Sequence, residues 1–297
     1  MADLILHDVG LRDGLQIERS VVPTATKVAW AAQLITSGID MIQLGSFVHR
    51  EKVPQMADTD EVFAVFRGAP VPPVLTGLVL NEKGLERALA CGVSYVCMGV
   101  SASETHSTKN TGMTIAEAQQ RIVATALAAK AAGASVQVSV QSAFGCGFEG
   151  EVPEARVLDI VRRFVDAGLH VVSLADTAGH ATPDRVERLF TAVRAIDPAV
   201  ECACHFHDTY GLGLANCAAA MRVGVKYYEA AFAGIGGCPF TKVSAGNVCT
   251  DDLLHMWHRM GLRTDIAIAP ILAVSQGAAD VLGRPLPGHV YKTGPLS

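Results

Sequence analysis

GLHVVSLA, Gly168 through Ala175, reads as a stop signal followed by a strand. The glycine sits just past an amphipathic, alanine-bearing stretch. There it can take the left-handed conformation that closes a helix without steric cost. The run after it is short and almost wholly apolar, as expected for a strand buried on both faces of a parallel sheet. The same mark recurs at Gly38 (then IDMIQLG), Gly92 (VSYVCMGV), Gly133 (ASVQVSV) and Gly224 (VKYYEAAFA). Working outward, strands are expected at 4–8, 39–45, 74–79, 94–100, 135–141, 170–175, 200–206 and 227–232. Helices fall between them, at roughly 25–37, 58–67, 83–91, 115–132, 154–167, 183–196, 212–223 and 247–260. Thr24 and Thr114 are the expected helix N-caps, and Glu117 completes a capping box with Thr114. Eight such units without a doubly wound fingerprint point to an α/β fold, a (β/α)8 TIM barrel, with an open parallel sheet as the alternative. The tail, 266–285, is expected to add a short extra C-terminal helical segment, and 1–297 to form one domain.

Composition narrows the function. Half of the 297 residues are apolar, 18% are charged and the net charge is −5. That excludes an extended basic surface for nucleic acid or anionic membrane. No apolar run is long enough for a membrane span, and no secretory signal opens the chain. The eight cysteines then read as thiols of a cytoplasmic protein rather than a disulfide framework.

The chemistry centres on HFHDTYG, His205 through Gly211, the end of a strand running into a helix. Side chains alternate along a strand, so His205 and His207 point the same way and form a two-toothed grip for a divalent metal. Cys202 and Cys204 have the opposite parity and face the helices. In a barrel the reactive face is the C-terminal end of the strands. Strand one exits at Arg12 and Asp13, strand two carries Gln43, strand five ends at Gln141 and Ser142, and strand six at Asp176. Strand eight exits into AGIGGCPF with Cys238, and the last barrel helix opens at Gly246 and Asn247. Asp13, His205, His207 and Asn247 make a metal set of two imidazoles and two oxygens, suited to Mg2+ or Mn2+, with Zn2+ also compatible. Arg12 is placed to hold an enolate oxygen, Cys238 to donate a proton, and the GIGG turn at 234–237 to act as a lid hinge. Gln43, Ser142, Asp176, Arg19 and Lys109 are expected at the substrate, the last two at phosphates.

VGLRDGLQ (9–16), SFVHREKVPQMAD (46–58), SASETHSTKN (101–110), FGCGFEG (144–150), SLADTAG (173–179), HFHDTYGLGLAN (205–216) and GIGGCPFTKVSAGNV, ending at Val248, carry a resemblance. Together they resemble the 3-hydroxy-3-methylglutaryl-CoA lyases, within a larger group of metal-dependent barrel lyases and condensing enzymes. The GGCP loop is the specific marker, since the condensing enzymes lack it. The resemblance implies cleavage of the methylglutaryl thioester to acetyl-CoA and acetoacetate, a step of leucine degradation and ketone-body chemistry. It implies that Asp13, His205, His207 and Asn247 match the metal ligands, and that Arg12 and Cys238 match the catalytic arginine and the lid cysteine. It also implies a homo-oligomer, most simply a dimer. The sequence departs from the family pattern at Gln43, where a glutamate is usual, and at Ile17, Arg19, His106 and Gly147. Two other readings stand beside it: a related aldolase or condensing enzyme that uses the same metal barrel, since a fold does not fix its function, and a weakly catalytic metal- or CoA-binding paralogue, motivated by Gln43. Asp13 and His205 both remain candidates for the base.

Overall fold

The glycine marks do what their spacing implies. Gly168 has φ +76°, its N–H bonds to the Val165 carbonyl, and the next N–H reaches back from Leu169 to Phe164. Gly92, Gly133 and Gly224 close their helices by the same pair of bonds. In the computed structural model, which describes residues 4–68, 73–237 and 246–296, each mark releases the chain into a strand of one closed barrel.

The strands are β1 (Ile5–Asp8), β2 (Met41–Ser46), β3 (Val74–Leu78), β4 (Tyr95–Ser101), β5 (Ser135–Gln141), β6 (Val171–Asp176), β7 (Glu201–Phe206) and β8 (Tyr227–Ala230). All pairs are parallel, and β8 closes on β1 with His7 beside Glu229. The helices are α1 (Thr24–Thr36), α2 (Thr59–Val65), α3 (Glu82–Ala90), α4 (Glu104–Thr111), α5 (Ile115–Ala131), α6 (Glu154–Asp166), α7 (Pro183–Arg194), α8 (Gly213–Arg222), α9 (Thr250–Arg259), α10 (Ile268–Leu282) and α11 (Val290–Thr293). The tail helix is α10. No helix among the described residues is long and apolar enough to cross a membrane.

Three local features differ from expectation. The last barrel helix begins at Thr250, not at 247. Asn247 and Cys249 are held extended by bridges to His207 and Ala231. Thr24 is the first residue of α1 rather than its cap, because Pro23 occupies that place and the Thr24 hydroxyl donates to Asp58 at 2.8 Å. Thr114 and Glu117 do form the capping box of α5. α4 has no counterpart in the sequence reading, since ETHSTKNT is polar on every face. It starts because Ser103 accepts the His106 N–H.

Alternation divides the barrel into layers. Outside the strands a continuous apolar core packs them against the helices, and Cys202 and Cys204 belong to it. Inside, Met41, Ala203 and Tyr227, with Ile5, Val74, Tyr95 and Val171, plug the bottom. Two residues further along each of those strands the inward position turns polar or small: Gln43, His205, Glu229, His7, Thr76, Cys97 and Ser173. The apolar plug closes one end, and chemistry begins directly above it.

Candidate active site

Arg12 and Asp13 ride on a tight π-helical turn, Gly10–Gly14, where the Val9 carbonyl accepts from the N–H groups of Arg12, Asp13 and Gly14. Asp8 fixes that turn: one oxygen accepts the Gly10 N–H at 2.8 Å, the other the Thr250 hydroxyl at 2.6 Å. Thr250 lies three residues after Asn247, so one buried carboxylate ties the first loop of the chain to the start of α9. Burial pushes Asp8 up to about 6 despite those two donors. Gly246 completes the closure, since a Cβ there would stand 1.7 Å from the Gly234 carbonyl oxygen.

The result is a cluster. The Nε2 atoms of His205 and His207 are 3.2 Å apart, and each is 3.8 Å from Asp13 Oδ2. Asn247 Nδ2 donates to the same oxygen at 2.9 Å, while Asn247 Oδ1 is buried with no hydrogen-bond partner. Burial drives the Asp13 carboxyl up, but Arg12, His205 and His207 together outweigh it and hold it at about 2. His205 is pushed down by burial and up by Glu229 and Asp13, and ends raised. An acceptor-only carboxylate, two imidazole nitrogens that converge on it and an orphaned amide oxygen fit a divalent cation. Two donors bound at right angles to one ion, each at about 2.1 Å, stand about 3 Å apart, close to the imidazole spacing here.

Arg12 donates through Nε to Gln43 and through Nη1 to Asp13. Gln43 is 1% exposed, and its other contact is the Cys97 thiol, which burial pushes up to about 12. A cavity of about 390 Å³ opens over this group. Arg12, Gln43 and Ala175 line it near the cluster, Gln137 and Glu229 form its floor, and Lys52, His49 and Arg121 stand at its rim.

Not every expected site residue is brought to it. Asp176 points away from the barrel axis and accepts the N–H groups of His180 and Ala181 at 2.8 and 2.9 Å, closing the loop after β6. Strand parity explains this: Ala175, not Asp176, faces the cavity. Burial pushes Asp176 up to about 6. Ser142 sits at φ +56° with its N–H on Thr177 and does not line the cavity. Arg19 is exposed and lies outside the lining. Lys109 is exposed on α4 and lies 4.1 Å over the Phe148 ring, although its neighbours Asn110 and Thr111 do line the cavity. Cys238 lies outside the described residues. The sequence reading missed Glu229, Gln137 and the rim residues Lys52, His49 and Arg121. For Glu229 the signal was present: a lone acid in VKYYEAAFA, at the inward parity of its strand.

The family model described as HMGL-like matches residues 3–277. The chain belongs to the HMGL-like family. Relatives of this family include the mitochondrial hydroxymethylglutaryl-CoA lyase of Arabidopsis thaliana, 38% identical over 94% of this chain. The chain spans 59% of that protein's length. The (R)-citramalyl-CoA lyase of Chloroflexus aurantiacus is 36% identical, covering 100% of this chain and 96% of its own. A hydroxymethylglutaryl-CoA lyase from Acinetobacter baumannii, solved with coenzyme A and 3-methylmalate, superposes with a TM-score of 0.93 at 35% identity, over 99% of this chain and 96% of its own. Like its HMGL-like relatives, the chain is a carbon–carbon lyase.

Proposed function

We propose that the chain is a divalent-metal-dependent lyase that cleaves a branched 3-hydroxyacyl-CoA whose acyl group carries a distal carboxylate. 3-Hydroxy-3-methylglutaryl-CoA would give acetyl-CoA and acetoacetate; the shorter citramalyl thioester would give acetyl-CoA and pyruvate. The observation that carries this is the convergence of Asp13, His205, His207 and Asn247, beside Arg12, at one cavity end of the barrel.

Asp13, His205, His207 and Asn247 would hold the metal, and their mixed set of two nitrogens and two oxygens suits Mg2+ or Mn2+. When bound there, a divalent cation would supply a Lewis acid that lowers the pKa of a substrate hydroxyl. Asp13 suits the role of base better than His205. Each Asp13 oxygen accepts once, from Arg12 and from Asn247, and keeps a further lone pair, whereas the single lone pair of a neutral His205 is the one that would hold the metal. The C3–OH proton leaves to Asp13, the C2–C3 bond breaks, and its electron pair becomes the thioester enolate. Arg12 lines the cavity where that negative charge develops. A proton then returns to C2; Cys238 is the proposed donor. Lys52, His49 and Arg121 at the rim favour the anionic CoA end. The seven cysteines among the described residues are all thiols, which supports a reducing, cytosolic setting. The homodimer rests on the family resemblance and is checked by light scattering.

The test is coupled detection of acetyl-CoA over a set of branched 3-hydroxy dicarboxylic thioesters, with Mg2+ or Mn2+. Release from at least one, abolished by chelator, is expected; no cleavage of any member rejects the reading.

A further inference from the structure

Glu229 is a buried acid without a part in the steps above. It is 8% exposed, stands on β8 in register with His205 of β7 on one side and His7 of β1 on the other, and both its oxygens are engaged. Oε2 lies 2.9 Å from His205 Nδ1, an ion-pair contact that lacks the angle of a full hydrogen bond, and Oε1 accepts from Gln137 Nε2. A carboxylate in a barrel interior is costly unless partners hold it, and here two do.

We propose that Glu229 is a positioning residue that fixes His205 with its proton on Nδ1, so that the Nε2 lone pair is turned toward Asp13 and His207. The inference rests on the metal reading above. A neutral imidazole carries one N–H, and an ionised carboxylate can only accept. A bare Nδ1 lone pair would repel the Glu229 oxygen 2.9 Å away, so the proton belongs on Nδ1 and Nε2 is left as the coordinating atom. Gln137 is the second support: by holding Oε1 it leaves Oε2 aimed at the ring. His7, on the other side, offers no competing charge. Burial pushes its pKa down to about 4, so it stays neutral beside the acid.

Glu229→Gln tests this sharply. The amide oxygen can still accept from Gln137, while its NH2 group faces His205 Nδ1. The proton then moves to Nε2 and the lone pair is lost from the ligand side. Calorimetric titration of the full-length protein with Mn2+ should show about 10–100-fold weaker binding than wild type, with the metal-free melting temperature nearly unchanged. Gln137→Met, which keeps the carboxylate but loosens it, should weaken binding less. Wild-type Mn2+ affinity in folded Glu229→Gln overturns the proposal while leaving the metal reading intact. Wild type that binds no Mn2+ overturns both. Should Glu229→Gln fail to fold, histidine 15N NMR of the Mg2+-loaded wild type decides the matter. A proton on Nδ1 of His205 is expected, and one on Nε2 overturns the assignment.

Discussion

Asn247 donates to Asp13 Oδ2 at 2.9 Å across 234 residues of sequence. The pair is the seam of the site: one partner comes from the first loop of the chain, the other from the strap before α9. Asn247→Asp removes the donor and sets two carboxylates face to face. Loss of a buried hydrogen bond of this kind costs about 1–3 kcal/mol, and the like charges add to it. The variant should melt well below wild type in chelator and recover most of the gap when Mn2+ is added. A melting gap that Mn2+ leaves untouched would argue against a cation between these groups.

Asp13 is assigned the proton-transfer step. Asp13→Asn keeps the size and shape of the side chain but removes the base and the anionic ligand. General acid–base groups contribute about 10²–10⁴ in rate, so kcat for thioester cleavage should fall at least about a hundredfold with circular dichroism unchanged. A folded variant within tenfold of wild type would remove Asp13 from the mechanism.

Gln43 accepts the Arg12 Nε hydrogen bond where the resemblance expects a glutamate. Gln43→Glu adds a carboxylate against the guanidinium in a buried place, and a close pair of unit charges there interacts by several kcal/mol. The expected outcome is a change of at least tenfold in the ratio of kcat/KM for the methylglutaryl and citramalyl thioesters, in favour of the former. An unchanged ratio would show that Gln43 does not set the acyl preference.

Asp251 accepts from Ser275 at 2.8 Å behind the barrel, and burial, outweighing that donor and Cys249, pushes it up to about 7. A carboxyl whose folded pKa is raised stabilises the fold fully below its unfolded pKa near 4. That contribution is lost as pH rises through the folded value. Asp251→Asn removes this dependence along with one acceptor. The stability advantage of wild type over the variant should therefore shrink by about 2–3 kcal/mol between pH 5 and pH 8. Urea denaturation at the two pH values measures it; a pH-independent gap would mean that Asp251 is not protonated in the folded protein.

Much of the architecture was legible before any coordinates. Helix-closing glycines at Gly38, Gly92, Gly133, Gly168 and Gly224 act through local backbone geometry, which is why five strand starts could be located within two or three residues. The histidine pair was legible for the same reason, since strand parity is a local property. α4 was not, because its polar sequence has no apolar face and its start depends on Ser103. The strand-end position of Asp176 predicts a place at the substrate. Its parity, one residue from Ala175, turns it toward the backbone of its own loop.

The unit count, the strand faces and the residue types at each strand end are written in the chain, because they depend on neighbours along it. Which of those residues meet is a consequence of folding. Closure of β8 onto β1 sets Glu229 between His7 and His205, and the Asp8–Thr250 clamp brings Asn247 to Asp13. No local periodicity encodes those meetings, since the angle at which the barrel closes is a property of all eight strands together.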